Sequence, residues 1–147
     1  MRMSRQDLTR ALGARTSAVA WLLVAALHAG APDARAAGFT VTNLFDAGPG
    51  SLREAIANAN ATPGPDSITF GLSGVIPLVT PLPAITDAAG LLIDGAGQSV
   101  TISGGGLIRP FVVGAGAALE VRGLAVRDGN SAGGSGGAFL NEGSLAL

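Results

Sequence analysis

The chain has 147 residues, 48% of them hydrophobic, with 23 glycines, no cysteine and a formal net charge of −1. That length suits one domain. Without cysteine there is no disulfide framework, so the fold has to be held by backbone pairing and apolar stacking.

The chain opens on Arg2, Arg5, Arg10 and Arg15, followed by the apolar run Ala18 to Ala29 and then "APDARA". A cationic start, an apolar centre and a small-residue end form the order of a secretory signal peptide, with Ala34-Arg35-Ala36 as its A-x-A cleavage site. The apolar run is shorter than the roughly 20 residues a membrane span needs. Residues 1–36 are therefore expected to be cleaved off after Ala36, and the product to be secreted or displayed at the cell surface. The single His, the single Trp and both Met leave with them, and no Lys, Tyr or Cys stands in what remains. Four arginines then face eight carboxylates, a net charge of −4, which excludes nucleic acid and anionic membranes as partners.

"GFTVTNL" (Gly38 to Leu44) alternates Phe39 and Val41 with Thr40 and Thr42, the pattern of a strand. After the turn-rich "FDAGPG", Ser51 and Glu54 form the S-x-x-E capping box, in which each side chain satisfies a backbone N–H at a helix start. Leu52, Ala55, Ile56 and Ala59 then follow at the spacing of one helical face. Pro63 ends the helix by disfavouring helical geometry at Thr62. Residues 37–66 are thus expected to form an amino-terminal cap, a strand plus a helix over 51–61, before "SITF" (Ser67 to Phe70) resumes the strand pattern.

From Gly71 onward, short apolar pieces such as "LLID", "SVTIS", "ALEV" and "SLAL" are separated by glycine-rich turns. Strands this short and close suit a sandwich, a barrel or a β-solenoid. Spacing separates these. Ile93, Leu119 and Leu145 lie 26 residues apart, as do Val100 and Val126, and Val113 and Phe139. A solenoid turn closing every 26 residues would stack each set in a column. The offset is not visible before Leu91.

"DAGPGSLREAIANANATPGPDSITF", "LLIDGAGQSVTISGGG" and "GGAFLNEGSLAL" resemble the opening and the repeats of bacterial secreted and surface right-handed parallel β-helix proteins, polymorphic outer-membrane, autotransporter-like and pectin-lyase-like. The run Ser51-Leu52-Arg53-Glu54-Ala55-Ile56 is similar to the Cys-Ser-Leu-Arg-Glu-Ala stretch of such proteins, with Gly50 in the place of the cysteine. The resemblance covers Thr42 to Leu147. It implies an all-β fold in which residues 67–147 are the first coils of a right-handed parallel β-helix, with further coils of the same polypeptide beyond Leu147. The helix would then lie over the first coil as a lid, since an open solenoid end exposes unpaired backbone and apolar interior.

Candidate chemistry is sparse. "VVGAGAAL" (Val112 to Leu119) lacks the last glycine of a dinucleotide loop and runs on into a strand-like segment. Asp94 in "DGAG" and Asp128 with Asn130 in "DGN" lack calcium-loop spacing and suit tight turns at coil corners. Asn141 suits a stacked Asn ladder inside a coil turn. Asp94 is placed to meet Arg122 or Arg127 as a surface ion pair. Asn60-Ala61-Thr62 matches a glycosylation sequon at a helix end. The resemblance also admits a polysaccharide lyase or hydrolase whose active site lies beyond residue 147, but residues 37–147 offer neither His, Lys nor Tyr as base. The expectation is a non-catalytic surface or adhesin-like segment with no catalytic, cofactor-binding or metal-binding residue. Its partner would be an extracellular glycan or a host or cell-surface protein, and its mature chain would carry no transmembrane span.

Overall fold

The computed structural model describes residues 35–134 and 136–147. Residues 1–34 of the leader, including Ala34 of its cleavage site, lie outside them. Ten short strands and one helix follow in order: β1 Gly38–Val41, α1 Leu52–Ala61, β2 Asp66–Phe70, β3 Gly74–Pro77, β4 Leu91–Asp94, β5 Val100–Ser103, β6 Phe111–Val113, β7 Ala118–Arg122, β8 Leu124–Arg127, β9 Phe139–Asn141 and β10 Ser144–Ala146. Every pairing between these strands is parallel. Strands of successive turns stack into three sheets, ordered β1-β2-β4-β7-β10, β3-β5-β8 and β6-β9. An isolated bridge, Ile85 to Val113, carries the third sheet one turn further back. This is a right-handed parallel β-helix of about four turns.

The strands form because their side chains alternate. Ile68, Ile76, Ile93, Ile102, Phe111 and Val113 point inward and are fully or almost fully buried, while their neighbours face outward. Each strand is too short to be stable by itself, and stacking turns gives each inward residue its apolar partners. The Phe111 and Phe139 rings, for example, stack with centroids 5.1 Å apart and planes 9° from parallel. Corners are tight enough to exclude a side chain in places. A Cβ at Gly95 would stand 2.5 Å from the Gly123 carbonyl oxygen of the next turn.

The register corrects the uniform 26-residue spacing. Leu119 does oppose Leu145 at 26, but Ile93 opposes Val121 and Leu91 opposes Leu119, an offset of 28. Val100 opposes Leu124 at 24, and Phe111, not Val113, opposes Phe139 at 28. Corner length is the cause. The corner Gly95–Ser99 between β4 and β5 is matched one turn later by Gly123 alone, and the longer β8–β9 connection restores the difference. Each of these departures beyond Leu91 is two residues, which leaves the same side chains facing inward. The repeat also reaches back past Leu91, with Gly74 opposite Val100 at 26.

Strand β1 belongs to the first sheet, paired with β2 from Gly38 opposite Ser67 to Val41 opposite Phe70. Among the described residues no strand of this first turn pairs with β3, and α1, with Asn60 beside Ile85, packs against β1 and β2. Its Leu52, Ala55, Ile56 and Ala59 are buried and join the core of the coils. Among the described residues no helix is long and apolar enough to cross a membrane.

Candidate functional site

Charged and amide side chains gather at two places, the junction of α1 with the coil beside it and the start of the first sheet.

At the junction, Ser51 is the N-cap of α1, its hydroxyl accepting from the Glu54 N–H, while the Glu54 carboxylate accepts from the Gly50 N–H at 2.6 Å. The Ser51 half of the capping box is made as expected, while the Glu54 carboxylate reaches one residue past the N-cap to Gly50, the Ser51 N–H being bonded to the Gly48 carbonyl. Three further side chains tie the helix to the coil edge. The Arg53 guanidinium donates to the Asp46 carboxylate at 2.7 Å and to the carbonyls of Asp46, Thr80 and Pro81. Asp46 in turn accepts from the Val79 N–H. Burial pushes the Asp46 carboxyl up, but the Arg53 hydrogen bond, the Val79 N–H and the Arg53 charge outweigh it and hold its pKa below the ordinary Asp value.

Asn60 is more unusual. Its Nδ2 donates to the Ala84 carbonyl at 2.7 Å, and its Oδ1 accepts from the Thr86 N–H at 3.0 Å. A residue paired with Ile85 in a parallel strand would make that same pair of bonds to residues 84 and 86. On the other side of Ile85 a real strand does so, with Ile85 N–H bonded to Val112 and Gly114 N–H bonded to Ile85. The Asn60 carboxamide thus stands in for one residue of a missing strand. This leaves the sequon at Asn60 engaged on both its polar atoms.

At the start of the first sheet, Asp66 is the first residue of β2 and 3% exposed. It lies opposite Leu91, which lies opposite Leu119, which lies opposite Leu145. A carboxylate thus stands in an interior column of leucines. Its Oδ1 accepts from the Ala37 backbone N–H at 2.8 Å, and its Oδ2 is buried without a hydrogen-bond partner. A surface groove with a volume of about 480 Å³ runs beside it, lined by Ala36, Asp66 and Glu120 among others. Glu120 is held by Arg122, whose Nε lies 2.6 Å from its carboxylate.

The remaining candidates resolve as turns. Asp94 accepts from the Ala96 N–H and Asn130 from the Ala132 N–H, each two residues on. The Asn141 side chain does the same for Gly143. Asn141 is exposed and opposes Val113, so it forms no Asn ladder, which corrects that expectation. Asp94 does stand opposite Arg122 in the ladder, yet Arg122 turns to Glu120, two residues before it on the same strand face. "VVGAGAAL" is strand, turn and strand, without the helix a dinucleotide loop requires. No group of three or more His, Cys, Asp or Glu suited to a metal ion occurs among the described residues.

Comparison with protein-family models returns no match to this chain, and comparison with curated proteins returns none either. Asp46, Arg53, Asn60 and Asp66 carry the polar organisation of the site, and sequence reasoning singled out none of them for it. Part of the signal was present. Arg53 and Asn60 are seven residues apart on one helical stripe beside the buried face, and Asp66 shares the parity of the inward-facing Ile68.

Proposed function

We propose that the chain is the helix-capped start of an exported, non-catalytic β-helix of the cell surface, adhesin-like and akin to the passenger segments of surface-displayed proteins, with a structural or binding role towards an extracellular glycan or a cell-surface protein. The observation that carries this reading is where the polar side chains are used. Asp46, Asp94, Asn60, Asn130 and Asn141 are committed to the protein's own backbone, which suits a scaffold presenting its stacked faces. The leader-like order of residues 1–36 supports export.

Two measurements test it. Fractionation of cells expressing the full chain should place the product outside the cytoplasm. The purified product should release no unsaturated or reducing sugar from pectin or pectate, with or without calcium. Retention of full-length product in the cytoplasm would overturn the export reading. Glycan turnover abolished by Glu120→Gln or Asp94→Asn would replace the scaffold with a polysaccharide lyase or hydrolase.

A further inference from the structure

We propose that Asp66 is the receptor for the amino terminus created by cleavage after Ala36, so that processing installs a buried ion pair at the start of the β-helix. The inference rests on the export reading.

The geometry begins with the register of the first sheet. Gly38 opposes Ser67, and the Ser67 N–H bonds to the Ala37 carbonyl. One residue back, Ala37 therefore stands against Asp66 and is already held in the ladder. The chain changes environment here: Arg35 and Ala36 are exposed, while Ala37 is half-buried. Among the described residues, the only polar contact of the Asp66 carboxylate is the Ala37 nitrogen, 2.8 Å from Oδ1. In the uncleaved chain that nitrogen is an amide with one hydrogen to give. Oδ2 is then left orphaned beside Leu91, in a place where an ionised carboxylate is costly unless it is paired and fully hydrogen-bonded.

Hydrolysis of the Ala36–Ala37 amide adds one water across the bond, yielding the Ala36 carboxylate and the Ala37 α-ammonium. That nitrogen now carries a positive charge and three hydrogens at the same position. It can serve both Asp66 oxygens and balance their charge. Loss of residues 1–36 also removes Ala36 from the groove wall. Glu120, the other carboxylate on that wall, is held by Arg122 and does not compete for the ammonium.

The chain contains no lysine, so the new α-amine is the protein's sole primary amine and can be followed without interference. The full chain would be exported from a bacterial host, its first residue determined by amino-terminal sequencing, and its rate of acylation by an N-hydroxysuccinimide ester measured against pH. The folded protein, the protein in urea and Asp66→Asn would be compared. The expected result is a product beginning at Ala37 whose folded amine reacts at least tenfold more slowly at pH 8 than in urea. The midpoint of its rate–pH curve should be raised above that of the unfolded chain, and Asp66→Asn should remove the rise. The direction of the shift discriminates, because burial alone lowers an amine's pKa whereas a facing carboxylate raises it. If Asp66→Asn does not fold, the comparison with urea decides. A product beginning elsewhere would overturn the export reading's cleavage site. A product beginning at Ala37 with a midpoint at or below the unfolded value would overturn the role of Asp66 alone.

Discussion

Replacing Asn60 tests whether a side-chain amide stands in for a strand. Its two bonds reach Ala84 and Thr86, both on exposed backbone. A net hydrogen bond contributes about 0.5–1.5 kcal/mol. Water can replace the lost partners at exposed groups, so Asn60→Ala should remove about 1–2 kcal/mol. Alanine also favours the helix over asparagine by about 0.5 kcal/mol. The net loss expected is therefore about 1 kcal/mol, a fall in the urea midpoint of roughly 0.5 M for a slope near 2 kcal/mol per M. Asn60→Asp should cost more at neutral pH. The introduced carboxylate still accepts from Thr86, but it faces the Ala84 carbonyl with a second oxygen and puts negative charge at a helix C-terminus. Only its protonated form can donate to Ala84, so folding raises the pKa of the introduced carboxyl, and the variant should regain stability as the pH falls through that value. Hydrogen exchange at the Thr86 amide gives the local readout and should accelerate in Asn60→Ala, which removes its acceptor. An unchanged urea midpoint together with unchanged exchange at Thr86 would refute the strand-surrogate reasoning.

Ser51→Ala should cost about 0.5–2 kcal/mol in urea unfolding, the usual loss for an N-cap. Ile56→Asp, which puts a charge at a fully buried position, should prevent cooperative folding, and a normal melt for both would deny the helix its packing role. The lowered Asp46 pKa predicts stability that is complete above the ordinary Asp value and is lost as the pH falls towards the folded-state value. Asp46→Asn should flatten that acid limb of the stability–pH curve. Gly95→Ala should lose about 1–3 kcal/mol, because its methyl group meets the Gly123 backbone. Thermal unfolding unchanged by that substitution would show that the corner can open.

Local patterns in the sequence already contained the cap. The capping box joins residues three apart, and the apolar face of α1 repeats within ten residues, so Ser51, Glu54, Leu52, Ala55, Ile56 and Ala59 occupy the positions expected for a helix N-terminus and a buried face. Alternation likewise determined which strand residues face inward. What it could not decide was register. A slip of two residues preserves every inward side chain, so Val113 over Phe139 and Phe111 over Phe139 satisfy the same pattern. The lengths of the corners and the stacking of the two Phe rings select between them, and both are properties of successive turns together. The same holds for the polar groups. An Asp at inward parity and an Asn on a helical flank read as ordinary surface residues until the fold brings Ala37 and the 84–86 backbone against them. A hydrogen-bond partner some 25 residues away in the chain is set by how the turns stack, and no local pattern encodes it.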